Sequence, residues 1–287
     1  MDLQAKTGEN RSERKARRAN AARRNREVPT VYYTSETDDE FSGITRKPFR
    51  VGGKYRYLHK NPIWRFCSFL VYRIIMTPFA FLWCKIKFRY KAVNRKAYRK
   101  VGKNGCFTYA NHTLMAGDAF FPSMMTFPKR TDVVVSPDNL AVPATRWFIE
   151  LSGAIPVPNE FSGTRGFLNA LEKKTLIGRN VHIYPEAHVW PYYTGIRPFS
   201  SASFRYPVRF DVPVFASTTT FQQAGRRKTP RVTVFVDGPF YPDRNLPPKA
   251  REQDLRDRVY NAMRSHAAEN TAEPIRYLKR ESAEEQA

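Results

Sequence analysis

The chain has 287 residues, of which 41% are apolar and 14% aromatic, so it is long enough and apolar enough for one packed domain with appendages. Its formal net charge of +23 argues against cationic partners and favours polyanionic ones: nucleic acid, an anionic membrane surface or phosphorylated substrates. The three cysteines show no metal-type spacing, which predicts free thiols in a reducing compartment and no metal site. The first 60 residues contain no apolar segment typical of a secretory signal, so none is expected.

Residues 1–30 are rich in arginine, alanine and asparagine, which predicts a disordered basic arm. Two interpretations of this arm stay open: a solvated tail without a role, or a segment attracted to anionic lipid headgroups. RNA binding is disfavoured, because no aromatic side chain for base stacking precedes Tyr32. Residues 31–84 form the next predicted unit, a connecting segment followed by membrane-interface helices.

An apolar stretch over residues 62–84 is long enough to cross a bilayer, since a helical span needs about 20 residues. Arg65 and Arg73 argue against a simple span, because an arginine near the bilayer centre costs about 2.5–3.5 kcal/mol on insertion scales. Pro78 predicts a kink or a break, and a tryptophan stands near each end of the stretch, where interfacial anchors are found. We therefore predict a membrane-associated helical hairpin lying in the interface, with a true span and a buried core helix as alternatives.

Residues 85–91 alternate basic and apolar side chains, which predicts a half-buried strand. Nine lysines and arginines fall between residues 85 and 103, with no acid among them. Because this basic patch directly follows the apolar stretch, its partner is predicted to be an anionic membrane surface, and no nucleic-acid partner is expected.

From residue 106 onward, predicted strands and helices alternate. The strands are predicted over residues 106–110, 132–135, 154–157, 181–184, 212–218 and 231–236, and the helices over residues 118–126, 143–151, 164–177 and 251–268. This alternation predicts an α/β domain over residues 85–287, with a mixed, mostly parallel sheet covered by helices.

Residues 108–118 contain the clearest chemical signal. His112 and Asp118 lie where a short apolar strand ends and a helix can begin, and Asp118 is the first acid after Glu40, although 17 lysines and arginines intervene. A carboxylate bonded to one ring nitrogen fixes the imidazole tautomer and leaves the other nitrogen free as a base. Spacing alone leaves two simpler alternatives open, a helix-capping aspartate and a structural histidine.

Four motifs follow one another over roughly residues 60–240. They are Asn111 and His112 with Asp118, the segment 153–158 leading to Arg165, Tyr184 with Pro185 and Glu186, and Val212 with Pro213. In order and approximate spacing they resemble the motifs of the glycerolipid acyltransferase family, whose best-known members acylate lysophosphatidic acid.

The chain departs from the family pattern at two places. Five residues rather than four separate His112 from Asp118, and positions six apart on a regular helix point about 240° apart around the axis. We therefore expect His112 in the turn before the helix, or one extra residue looped out with the help of Gly117. Ala187 and His188 replace a glycine and the start of a threonine–arginine pair, which indicates a divergent bacterial-type branch.

The resemblance implies an O-acyltransferase that moves a fatty acyl group from acyl-CoA or acyl carrier protein to a lysophospholipid such as 1-acylglycerol-3-phosphate, in phospholipid biosynthesis. It implies a peripheral or monotopic protein at the cytoplasmic face of the cell membrane. The thioester is a co-substrate, and no bound cofactor or metal is implied.

The resemblance also assigns roles to residues. His112 is expected to be the catalytic base and Asp118 its orienting partner. Asn111, Arg165, Glu186 and Arg197 are expected to bind substrate, Arg165 as a phosphate clamp and Arg197 as the nearest substitute for the missing arginine. Two alternatives stay open: a non-catalytic basic protein that binds membrane or RNA and carries a degenerate dyad, and an acyltransferase for another acceptor lipid.

Overall fold

The structure, a computed structural model, describes residues 28–43, 49–225 and 229–280, so most of the predicted basic arm lies outside the described residues. The strands in these ranges are β1 Thr30–Tyr33, β2 Lys91–Val93, β3 Phe107–Ala110, β4 Thr131–Val135, β5 Ala154–Pro156, β6 Asn180–Ile183, β7 Val214–Gln222, β8 Arg231–Phe240 and β9 Arg276–Lys279. The helices are α1 Pro62–Lys87, α2 Phe121–Thr126, α3 Pro143–Leu151, α4 Thr164–Leu176, α5 Arg205–Phe210 and α6 Pro248–Ala267.

Seven strands form the main sheet in the order β2-β8-β7-β3-β6-β4-β5. The strands from β3 to β7 are mutually parallel, whereas β8 pairs antiparallel with β7 and β2 runs parallel to β8. The predicted mixed, mostly parallel sheet is therefore confirmed. Since parallel strands share one carboxyl edge, residues that follow β3, β4, β5 and β6 lie along the same edge of the sheet, where α/β proteins place ligand sites.

Helices cover both faces of this sheet. Strands β3 and β6 are buried throughout, as expected for parallel strands enclosed on both sides. One face packs against α1 and α2, and the other packs against α4, α5 and α6. The predicted α/β architecture with a helix-covered sheet is thus present.

The first helix, α1, is one continuous helix of 26 residues, so the predicted hairpin is wrong. Its middle, Leu70–Met76, is π-helical, and the Thr77 N–H donates to the Tyr72 carbonyl five residues earlier. The wider turn accommodates Pro78, which has no N–H to donate, without breaking the helix. By length and composition α1 is a candidate membrane-associated helix.

Two opposite sides of α1 are apolar. One side places Tyr72, Met76, Ala80 and Cys84 in the core against the sheet. The other side exposes large apolar residues along the whole helix: Ile63, Phe66, Phe69, Ile74, Ile75, Phe79, Leu82 and Ile86. We call this set the exposed apolar face of α1. A face of this length is unusual on a solvated helix and marks a contact surface.

The predicted strand over residues 85–91 is also wrong, because α1 continues through Lys87 and β2 begins only at Lys91. The alternating apolar side chains do not share one face. Ile86 is 71% exposed on α1, whereas Phe88 is buried, with its ring centroid 5.2 Å from that of Trp83.

The other predicted strands and helices are present with boundaries shifted by a few residues, and the helix over residues 143–151 has the predicted bounds. One boundary matters for the site: α2 begins at Phe121, three residues later than predicted. Strands β1 and β9, which pair in parallel with Thr30 opposite Arg276, were not predicted. Each has only four residues and pairs with a segment more than 240 positions away, so no local sequence pattern predicts these two strands.

Candidate active site

His112 and Asp118 lie at the carboxyl end of β3, in the turns that precede α2. His112 Nδ1 and Asp118 Oδ2 are 2.7 Å apart. The same carboxylate oxygen accepts the Leu114 N–H at 2.9 Å. Because the connecting residues form turns rather than a regular helix, the six-position separation brings the two side chains together. His112 thus has the position before the helix that the sequence led us to expect.

Gly117 serves this turn through close packing rather than through an unusual backbone angle. A Cβ at this position would lie 2.8 Å from the Phe121 ring and 3.2 Å from the Leu114 Cβ. The expected role of Gly117, permitting a looped-out residue, is therefore corrected: its missing side chain lets Phe121 pack under the turn.

The surroundings of Asp118 suit a partner for a protonated imidazole. Burial raises the pKa of Asp118, and the hydrogen bonds from His112 and from the backbone of Leu114 and Thr113 act in the opposite direction. A carboxylate with so little access to water attracts a nearby cation more strongly. His112 Nε2 has no hydrogen-bond partner within the described ranges, and the side chain is 18% exposed, so this nitrogen is available to a ligand.

Tyr184 holds both members of the pair. Its ring stacks on the His112 ring with centroids 4.2 Å apart and 16° between the planes. Its hydroxyl donates to the Asp118 carbonyl at 2.7 Å. No sequence pattern predicted that Tyr184 would contact both His112 and Asp118. The available signal was topological, because Tyr184 follows β6, which is the parallel neighbour of β3.

His182 lies beneath Tyr184, fully buried on β6, and its Nδ1 is 2.6 Å from Thr108 Oγ1. Burial, together with repulsion from His112, lowers the pKa of His182 to about 3. An unfolded histidine titrates near pH 6.5, so below that pH the unfolded chain binds a proton that the folded protein does not bind.

We therefore expect the free energy of unfolding to fall as pH falls from about 6.5 towards 3, with His182 contributing up to about 1.4 kcal/mol per pH unit. Urea unfolding of the wild type and of His182→Gln at several pH values in this window isolates the contribution. The variant should show the shallower dependence, and the two curves should run parallel above about pH 7. Parallel curves throughout the acidic window would contradict the burial of a neutral imidazole.

Glu186 and Arg197 form a buried ion pair behind the His112 backbone, with Nη2 and Oε2 3.0 Å apart. Glu186 Oε2 also accepts the His112 N–H at 3.0 Å, and Oε1 accepts the Arg197 N–H at 3.0 Å. The Arg197 guanidinium donates further to the carbonyls of His188 and Glu36. Burial raises the pKa of Glu186, while Arg197 and these two backbone donors favour its charged form.

This geometry corrects the predicted substrate contacts of Glu186 and Arg197. Both side chains are at most 4% exposed, and their polar atoms other than Arg197 Nε contact protein atoms. The pair fixes the loop that carries His112. Asn111 is corrected in the same way, because its side-chain amide exchanges hydrogen bonds with the Thr219 backbone at 3.0 and 2.8 Å and joins β3 to β7.

Arg165 is placed differently from these three residues. It lies exposed in the first turn of α4, which follows β5, and the described part of the chain offers it no ion pair or hydrogen bond. Strand β5 is three positions from β3 in the sheet order. Among the four predicted substrate-binding residues, Arg165 is thus the one whose charge faces solvent on the edge that carries His112.

The loop between Glu186 and Arg197 is held by aromatic packing. Trp190 is fully buried, with the Tyr33 and Tyr277 ring centroids at 4.8 and 5.0 Å. The segments that carry β1 and β9 therefore enclose this loop. Ala187 has φ +63°, a left-handed conformation that costs an L-residue about 1 kcal/mol and that explains why a glycine suits this motif position.

Comparison with known proteins agrees with this fold and motif order. A sequence model of the acyltransferase family matches residues 87–219. Among solved structures, the chain is similar to the 1-acyl-sn-glycerophosphate (LPA) acyltransferase PlsC from Thermotoga maritima, with a TM-score of 0.51 and 17% identity, over 72% of this chain and 86% of that chain. At this identity the structural likeness shows the fold. No match was found among curated proteins. Because the family match runs from the end of α1 into β7 and the fold is shared with a solved acyltransferase, residues 87–219 of this chain form an acyltransferase domain.

Proposed function

We propose that this protein transfers a fatty acyl group from a thioester, acyl-CoA or acyl carrier protein, to the hydroxyl of a lysophospholipid such as 1-acylglycerol-3-phosphate, in phospholipid biosynthesis. The observation that carries the proposal is the contact of 2.7 Å between His112 Nδ1 and Asp118 Oδ2, which leaves Nε2 free at the carboxyl edge of the sheet. The acyltransferase match over residues 87–219 supplies the reaction class, and the geometry supports His112 as the base.

In the proposed mechanism, His112 Nε2 takes the hydroxyl proton as the acceptor oxygen attacks the thioester carbonyl. Asp118 stabilises the imidazolium that forms. The tetrahedral intermediate then collapses, the carbon–sulfur bond breaks, and the departing thiolate takes the proton from His112. The lipid hydroxyl attacks directly, so no acyl-protein intermediate is needed.

Arg165 is the proposed clamp for the phosphate of the acceptor. A guanidinium binds phosphate through two parallel hydrogen bonds, and this guanidinium has no competing protein partner among the described residues. Its position at the start of α4 adds the favourable N-terminal end of a helix dipole.

The exposed apolar face of α1 is the proposed membrane contact of a peripheral or monotopic protein. We propose the cytoplasmic face of the cell membrane as its location. Phe79 on this face has its ring centroid 5.8 Å from that of Phe120, two residues after Asp118. Met115, in the turn between His112 and Asp118, is 43% exposed. The apolar surface therefore extends to the dyad, as a lipid acceptor entering from the bilayer requires.

Replacing Leu82 and Ile86 by glutamate should weaken binding to phospholipid vesicles by more than about tenfold, because each buried aliphatic side chain contributes about 1.5–3 kcal/mol. Vesicle flotation measures the bound fraction. The matched control is Leu176→Glu with Ile177→Glu, which changes the same residue types at the end of α4, on the other side of the sheet, where they are 77% and 67% exposed. Equal losses in the two double variants would contradict a membrane contact specific to α1.

The proposed reaction is tested by mass spectrometry of lipid products from a panel of acceptors and two donors. The panel contains lysophosphatidic acid, lysophosphatidylcholine, an ornithine lipid and glycerol 3-phosphate, each with acyl-CoA and with acyl carrier protein. We expect lysophosphatidic acid, whose phosphate is a monoester, to be acylated fastest. We expect Arg165→Met to raise the KM for lysophosphatidic acid. Absence of acylation of every acceptor with either donor would refute the proposed function.

A further inference from the structure

A cavity of about 980 Å³ lies apart from the dyad. Its walls come from the C-terminal half of α1, the 3-10 helix Arg95–Val101, and the end of α2 with the residues after it. Gly102 and Lys129 line it, and they precede β3 and β4, whereas His112 follows β3. The cavity is therefore displaced toward the sheet edge opposite the dyad, and no dyad residue lines it.

The charges around this cavity are of one sign. Its basic lining residues are Lys85, Arg95, Lys96, Arg99 and Lys129, and no acid lines it within the part of the chain that the structure describes. Asp118 is the only acid in the sequence between residues 41 and 131, and it is buried against His112. Arg95 and Lys129 donate to the neutral carbonyls of Phe127 and Asn104, and the described ranges offer none of the five cations an ion pair. The described residues thus supply this cavity with no counter-ion.

The same cavity has an apolar wall made by Phe81, Tyr98, Met124 and Phe127. It adjoins the exposed apolar face of α1, because Leu82 and Ile86, 64% and 71% exposed, are the sequence neighbours of the lining residues Phe81 and Lys85. We call the five lining cations the rim of the cavity. This rim and the apolar wall together match an amphiphile with an anionic head, and the cavity volume lies within the usual range for ligand sites.

We propose that this cavity binds one anionic phospholipid, with an acyl chain against the apolar wall and the phosphate among the cations. The adjoining lipid-facing surface of α1 favours a bilayer lipid over a nucleic acid, which needs an extended track for its backbone. Such a lipid holds the protein on an anionic leaflet through a site that leaves His112 free.

The test uses dioctanoyl phosphatidylglycerol, an anionic lipid that is neither the proposed acceptor nor its acylation product. Native mass spectrometry counts bound lipids, and titration calorimetry below the micellar concentration gives Kd. The variant Lys96→Glu with Arg99→Glu reverses two rim charges, and Lys100→Glu with Lys103→Glu is the control, since these exposed residues do not line the cavity. We expect one bound lipid, a Kd raised about tenfold or more in the rim variant, and little change in the control.

Two further probes separate the alternatives. Glycerophosphate, which has the anionic head without chains, should bind at least about tenfold more weakly than the lipid if the apolar wall takes a chain. A short single-stranded oligonucleotide should not displace the lipid. Equal weakening in rim and control variants, equal binding of glycerophosphate, or displacement by the oligonucleotide would each overturn the proposal.

Discussion

Replacing Asp118 by asparagine should lower kcat by about 10³–10⁴-fold while the protein stays folded, the size of effect expected when a catalytic histidine loses its orienting acid. Asp118 Oδ2 accepts hydrogen bonds from His112 Nδ1 and from the Leu114 N–H. An asparagine oxygen in the place of Oδ2 can keep both bonds, but the side chain then carries no negative charge beside the His112 ring. The imidazolium that forms when His112 takes the proton therefore loses its stabilising charge, and His112 becomes a weaker base.

Initial rates with saturating donor and acceptor measure this effect, and thermal unfolding checks that the variant is folded. Asp243→Asn is the control, because it makes the same chemical change at an exposed aspartate after β8, which ends at the sheet edge opposite the dyad. An Asp118→Asn protein with more than about a tenth of wild-type kcat would show that the charge of Asp118 does not assist His112.

Arg197→Met should destabilise the protein by about 3–5 kcal/mol, because removing one partner leaves the buried Glu186 carboxylate without its ion pair. Methionine fills most of the volume, so the loss reports on charge rather than on a cavity. The loop that carries His112 should loosen as well, since Glu186 holds the His112 N–H. Chemical unfolding at neutral pH measures the change in free energy.

A double variant distinguishes the buried charge from a general packing defect. Glu186→Leu with Arg197→Met removes both charges and should be more stable than Arg197→Met alone. Arg244→Met, which removes an exposed partner of Asp211, serves as the control and should leave the unfolding midpoint unchanged. A double variant less stable than both single variants would contradict this account of the pair.

The position of the dyad could be predicted from the sequence because the features that indicate it are close together in the chain. The buried strand that ends at Ala110 and the positions of His112 and Asp118 just after it all lie within one short segment of the sequence. The order of strands and helices beyond residue 106 is local in the same sense, since hydrophobic periodicity determines it.

The solvent exposure of the other motif residues depends on segments that are distant in sequence. For this reason the substrate contacts predicted for Glu186 and Arg197 were wrong. Glu186 and Arg197 are enclosed because the segments around Tyr33 and Tyr277 pack on Trp190 between them. Those segments are distant from the motif in sequence, so its residue types cannot reveal that they cover it. The hairpin prediction failed for a related reason: Pro78 follows a π-helical segment, in which the Tyr72 hydroxyl accepts the N–H of Thr131 on β4, a contact that no local pattern reveals.

The measurement that tests the central claim most directly is the formation of a labelled diacyl lipid from lysophosphatidic acid and a ¹³C-labelled acyl thioester, followed by mass spectrometry with the wild type and with His112→Ala. If His112 is the base, the wild type forms the labelled product and the variant, still folded by circular dichroism, forms it at least about 100-fold more slowly. Product formation by His112→Ala at the wild-type rate would contradict the account.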